Sequence, residues 1–84
     1  QAAALPQALF QAAARIEAGE APAPVLAEAE AALADAGFGP VEYLALRDGE
    51  SLGDPQSGRP ARLLVAAWLD GVRLIDNVAV ALPK

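Results

Sequence analysis

Three polar residues, Arg73, Asp76 and Asn77, stand inside an otherwise apolar run in the stretch Asp70-Gly71-Val72-Arg73-Leu74-Ile75-Asp76-Asn77. A plain core strand needs none of them, so each invites a chemical role. Asp76 is a carboxylate that could act as an acid or a metal ligand if a second ligand stood beside it. The sequence offers none, because the chain contains neither histidine nor cysteine. Those two absences remove the commonest general base, the commonest metal ligand and the thiolate nucleophile. No Ser/His/Asp or Cys/His arrangement can form either. The plain reading of Asp76 is a structural hydrogen bond to backbone, or to Arg62 or Arg73.

The remaining candidates are weaker. Ser57-Gly58-Arg59, with Gly53 upstream, has the flavour of a phosphate loop. The spacing is wrong, since no Gly-Lys-Ser/Thr follows and no helix begins there. Glu17, Glu20, Glu28, Glu30 and Asp35 lie on or beside predicted helices and read as solvated faces. Trp68 beside Arg73 suggests a cation–π or stem-packing pair. Trp68 is also the docking residue if its face meets a partner. On the residues alone, the chain is not expected to be a complete enzyme.

The elements that hold these residues follow from hydrophobic period. Residues 1–18 read as a helix with Leu5, Leu9, Ala12, Ala13 and Ile16 on one face. Pro6 suits only a first turn, so the helix should begin near Leu5, with Ala2–Ala4 frayed or capped by upstream chain, and stop at Gly19. A second helix is expected from about Pro24 to Ala36, with Val25, Ala29, Ala32, Leu33 and Ala36 as its stripe and Gly37 as its end. A linker of about five residues should return it antiparallel to the first.

Gly39-Pro40 marks the change from helical to strand period. Val41–Arg47 is expected as a strand with Val41, Tyr43 and Ala45 on one face and Glu42, Leu44 and Leu46 on the other. Asp48–Pro60 reads as a loop with a short turn near Glu50–Gly53. Ala61–Leu69 and Val72–Leu82 are strands joined by Asp70-Gly71, a two-residue type I′ signal. That turn sets the register: Leu69 opposite Val72, Ala67 opposite Leu74, Val65 opposite Asp76 and Leu63 opposite Val78. Trp68 opposite Arg73, Ala66 opposite Ile75 and Leu64 opposite Asn77 share the other face. The expected class is α+β, two antiparallel helices packed on a three-stranded antiparallel sheet in the order α-α-β-β-β. Both sheet faces are apolar, and two helices cover only one.

Composition narrows the partners. The net charge is −5, from 11 acidic and 6 basic residues, which argues against a nucleic-acid partner. No apolar run approaches the roughly 20 residues of a membrane span, and no basic-then-apolar leader is present, so neither membrane nor export is expected. The 84 residues make at most one domain. A chain that short buries only about 60–65% of its unfolded surface, so its core is thin. The chain opens at Gln1 without any methionine, which suggests a processed start or a piece of something longer.

The block Arg62-Leu63-Leu64-Val65-Ala66-Ala67, followed by Gly71-Val72-Arg73-Leu74-Ile75-Asp76-Asn77, resembles the C-terminal domain of the pantothenate synthetases, the pantoate–β-alanine ligases. Val41-Glu42-Tyr43-Leu44 resembles that family's Val-Asp-Tyr strand, with Glu in place of Asp. The alanine-rich helices split by Gly19 also fit, so the resemblance spans nearly all of the chain. It implies a cytoplasmic two-domain enzyme, commonly a homodimer. Its N-terminal nucleotide-binding domain takes ATP, Mg²⁺ and pantoate, forms a pantoyl adenylate, and lets β-alanine attack to give pantothenate, AMP and pyrophosphate. Residues 1–84 then correspond to the C-terminal lid. The family's catalytic histidines and lysine lie in the other domain, and its Ser-Arg-Asn loop falls just before Gln1. Arg73, Asp76 and Asn77 carry over only as structural motif positions. ATP and Mg²⁺ are expected for the parent enzyme, and none for this chain alone. The competing expectation is a stand-alone, non-catalytic interaction or assembly module. A small ligand-binding domain with its own pocket is a third, disfavoured by the little volume such helices leave.

Overall fold

The computed structural model describes residues 3–83. Helix α1 spans Ala4–Glu17 and α2 spans Pro22–Asp35. Strands β1 (Val41–Asp48), β2 (Pro60–Leu69) and β3 (Val72–Ala81) form one antiparallel sheet in the order β1-β2-β3. This is the α+β arrangement expected from the hydrophobic period. Ala2, expected to fray, lies outside the described residues.

Pro6 sits in the first turn of α1, where its missing N–H would have had no partner anyway. Leu5, Leu9, Ala12, Ala13 and Ile16 are buried, as their spacing requires. Helix α2 begins two residues earlier than expected. Ala21 is extended and Pro22 takes the first helical position, so both Pro22 and Pro24 fall within the first turn. Its buried stripe is narrower than expected: Val25, Ala29 and Leu33 are inside, whereas Ala32 is exposed. Both helices end with the same pair of backbone bonds. Glu20 N–H donates to the Arg15 carbonyl and Gly19 N–H to that of Ile16; Phe38 N–H donates to Leu33 and Gly37 N–H to Ala34. Gly37, at φ 97°, supplies the left-handed residue that this ending needs, and Phe38 turns back into the core. Ala8 and Ala32 line one interhelical groove and Arg15 reaches Glu28, as antiparallel helices require.

Helix α1 lies over β3 and α2 over β1. Between helices and sheet sit Leu9, Ile16, Val25, Leu33, Leu63 and Val65, each almost wholly buried. The β2–β3 register matches every pairing expected from the two-residue turn, from Leu69 opposite Val72 to Leu63 opposite Val78. Asp70 and Gly71 both have positive φ, 51° and 79°, as a type I′ turn demands. A Cβ on Gly71 would meet nothing within 4 Å. Gly71→Ala is therefore expected to cost about 1 kcal/mol from backbone strain alone, read as a shifted urea midpoint with an unchanged slope.

Strand β1 departs from the expected alternation. A bulge between Val41 and Tyr43 inserts Glu42 as an extra residue. Val41 therefore packs toward the core with Leu44 and Leu46, and not with Tyr43 and Ala45 as simple alternation predicts. Glu42 leaves the side of Leu44 and Leu46 and joins Tyr43, Ala45 and Arg47 on the open face. Strand β1 also runs one residue further than expected, taking in Asp48, and β2 begins at Pro60.

Candidate functional site

The open face of the sheet carries most of the residues singled out by sequence. At its centre are Tyr43, Leu64, Trp68 and Ile75, with Ala66 fully buried among its larger neighbours. Tyr43 is 41% exposed and Ile75 60% exposed. The helices cover the other face, so this apolar surface has no partner within the described residues.

Glu42 organises one end of the face. Trp68 donates its indole N–H to Glu42 Oε2 at 2.6 Å. Arg73 donates through Nε and Nη2 to Glu42 Oε1 at 3.1 and 2.9 Å. The Arg73 guanidinium, then the Trp68 N–H, hold the Glu42 carboxyl below its ordinary range. The expected Trp68–Arg73 pair is thus bridged by a carboxylate that alternation places on the opposite face. Only the bulge brings it there, and no residue type in β1 announces that bulge.

Arg62 and Asn77 form a second tie, with Arg62 Nη1 donating to Asn77 Oδ1 at 2.6 Å. Asp76 is half-buried on the helix side of β3, and its Oδ1 accepts the Asn77 backbone N–H at 2.8 Å. Of the expected partners for Asp76, backbone is the one used. Arg62 pairs instead with Asn77 and Arg73 with Glu42. Arg73, Asp76 and Asn77 do not converge on a common point: Asp76 looks toward the helices and the other two toward the open face.

A third cluster escapes sequence reasoning. Asp48 is only 2% exposed. Its Oδ2 accepts from the Glu50 and Ser51 backbone N–H groups and the Ser51 hydroxyl, and its Oδ1 accepts from Arg59 Nε at 3.1 Å. The Arg59 guanidinium, followed by the Ser51 N–H, holds the Asp48 carboxyl well below the usual carboxylate range, against the opposing effect of burial. The available signal is an Asp at a strand end followed by turn residues, the setting of an Asx turn. Arg59 also reaches Glu50, so the cation of the Ser57-Gly58-Arg59 turn is shared by two carboxylates.

The helical carboxylates are less idle than expected. Glu17 Oε2 accepts the Ala81 N–H at 2.8 Å, which ties the end of α1 to the outer edge of β3. Glu20 and Glu28 both pair with Arg15. Among the described residues no group of three His, Cys, Asp or Glu could hold a metal ion, and no helix is long and apolar enough to cross a membrane.

A family model described as pantoate-beta-alanine ligase matches residues 1–79. The chain belongs to the pantoate–β-alanine ligase family. It is 73% identical over 82 residues to the pantothenate synthetase of Paracoccus denitrificans, a match covering 98% of this chain and 29% of that protein. It is 56% identical over 81 residues to the pantothenate synthetase of Chelativorans sp., covering 94% and 28%. The crystal structure of pantothenate synthetase from Thermus thermophilus superposes with a TM-score of 0.71 at 33% identity, covering 89% of this chain and 28% of that one. The chain thus spans under a third of the length of these ligase-family relatives. Of the Arg-Leu-Ile-Asp-Asn block of β3, Arg73 and Asn77 make cross-strand side-chain bonds and Asp76 accepts a backbone N–H.

Proposed function

We propose that residues 1–84 are the C-terminal lid domain of a pantoate–β-alanine ligase, and that the whole protein condenses pantoate with β-alanine, driven by ATP and by way of a pantoyl adenylate, giving pantothenate, AMP and pyrophosphate. The observation that carries this reading is the 73% identity to a pantothenate synthetase across 98% of the chain. The side-chain chemistry agrees with it. The chain holds no His or Cys, which are the commonest general base and thiolate nucleophile, and its Arg59 is held by Asp48 and Glu50. A lid contributes otherwise, by excluding water and helping to hold reacting groups in place. Handling of ATP and its Mg²⁺ belongs on this reading to the preceding nucleotide-binding domain, and no step is assigned to residues here. Arg73, Asp76 and Asn77 serve as structural positions of the β2–β3 hairpin, and Trp68 lies on its docking side. The parent enzyme is proposed to work in the cytoplasm as a homodimer.

The test compares two proteins. The full-length ligase containing this sequence is expected to form pantothenate and AMP from pantoate, β-alanine and ATP. The purified 84-residue chain is expected to form neither. Turnover by the chain alone would sink the lid reading, and a full-length protein without ligase activity would sink the assignment of the reaction. A chain encoded with its own start codon immediately before Gln1 would favour a stand-alone interaction module instead.

A further inference from the structure

The charge on the open sheet face is opposite in sign to that of the chain. Its strand residues include Arg47, Arg62 and Arg73 against the single carboxylate Glu42, three positive charges and one negative, net +2. The whole chain carries −5, so the remainder carries −7. Arg73 and Glu42 satisfy each other. Arg47 and Arg62 do not have that relief. They stand directly opposite one another on β1 and β2, and like charges in that position repel. Among the described residues, Arg62 has only the neutral amide oxygen of Asn77, and Arg47 only its neighbour's backbone carbonyl at 3.4 Å. Two adjacent guanidinium groups without a carboxylate among the described residues, beside exposed Tyr43 and Ile75 and half-buried Leu64, describe half of an interface whose other half is acidic and apolar.

The relatives say how much chain is available to supply that half. This sequence spans 29% of the Paracoccus protein and 28% of the Thermus chain, so most of a ligase of this family lies outside it. We infer that the open sheet face is the surface on which the preceding domain of the ligase seats, and that an acidic side chain of that domain enters between Arg47 and Arg62 while apolar side chains cover Tyr43 and Ile75. This rests on the lid reading above and adds to it which face of the lid is engaged. The rim charges steer and register the contact, and the apolar centre supplies its adhesion.

The test uses the full-length ligase without ATP or pantoate, so that no small ligand shields the face. A single thiol is introduced by Ile75→Cys, in a region that has no cysteine of its own, and its alkylation is followed by peptide-resolved mass spectrometry. A side chain 60% exposed in this domain would label at nearly the denatured rate if nothing covered it. The expected result is labelling at least about tenfold slower in the native than in the denatured enzyme, unchanged on dilution. Labelling within about twofold of the denatured rate overturns the proposal. Protection that disappears on dilution assigns the face to a second copy and overturns it too. In the Arg47→Gln, Arg62→Gln double variant, position 75 is expected to label at least about threefold faster than with both arginines present. An unchanged rate removes the acidic contact. Pantothenate formation is assayed on the wild-type enzyme and on the Ile75→Cys variant in parallel: its absence from the wild type counts against the proposed reaction, whereas an active variant with an open position 75 counts against the docking face alone.

Discussion

Leu63→Ala is expected to destabilise the domain by about 2–5 kcal/mol. Leu63 has no exposed surface and lies in the middle strand, opposite Leu46 on one side and Val78 on the other. Removing its outer carbons forfeits their transfer free energy and leaves a cavity. The neighbours that would have to close it, Leu9, Ile16 and Leu33, belong to two helices that are themselves fixed by the sheet. Total stabilities of small domains are about 5–15 kcal/mol, and a core this thin belongs near the lower end. The substitution should therefore populate unfolded chain at room temperature. Urea titration followed by Trp68 fluorescence checks this. Ile75→Ala, on the open face, is the comparison and should cost far less. A Leu63→Ala loss below about 1 kcal/mol would mean that the helix–sheet layer is not the core, since buried Leu→Ala changes cost more than that.

Asp48→Ala is the second large effect, and it should appear as a change in pH dependence as well as in stability. The substitution removes the acceptor for the Glu50 and Ser51 N–H groups, the Ser51 hydroxyl and Arg59 at once. The β1–β2 connection, which folds back on Asp48 through the Leu52 and Gly53 backbone as well, loses its anchor. Because the folded carboxyl titrates well below its ordinary value, its contribution is fully present above about pH 4, the unfolded value for aspartate. It is lost as pH falls from there toward the lowered folded value. The wild-type melting midpoint should fall through that acid range, and Asp48→Ala should start lower at neutral pH and fall less. Glu50→Gln, which touches only the exposed arm of Arg59, should change the midpoint much less. Parallel acid profiles for wild type and Asp48→Ala would refute the assignment. The Glu42 and Glu20 carboxyls are lowered in the same direction by Arg73 and Arg15, but these pairs are exposed and screened by salt.

The reading of β3 holds because a two-residue turn leaves no freedom of register. Once Asp70-Gly71 is accepted as type I′, each partner follows by counting, and Leu63 must oppose Val78. The reading of β1 fails for the complementary reason. Its connection to β2 is long, from Gly49 to Arg59, so counting carries no information across it. A bulge inserts one residue without altering composition, and from Val41 onward the parity of the strand changes. That single residue moves Glu42 from the core side to the open face, and with it the partner of both Trp68 and Arg73. The start of α2 is displaced by two residues to Pro22 because two prolines can share one first turn. Asp48 reads as a loop residue in sequence because its burial depends on Arg59, eleven positions away, folding back over it.

The sequence by itself determined the order of elements, the hairpin register and the family. Those rest on local rules: a 3.6-residue period, a period of two, a turn with positive φ, and a contiguous motif. Tertiary structure alone decided which polar residues meet. Glu42 joins Trp68 and Arg73, Arg59 joins Asp48, and Glu17 caps the Ala81 N–H at the edge of β3. It also decided that Arg47 and Arg62 stand side by side on an uncovered face. Each of these contacts joins residues distant in the chain, and their geometry depends on a bulge, a loop or a helix crossing that composition does not encode.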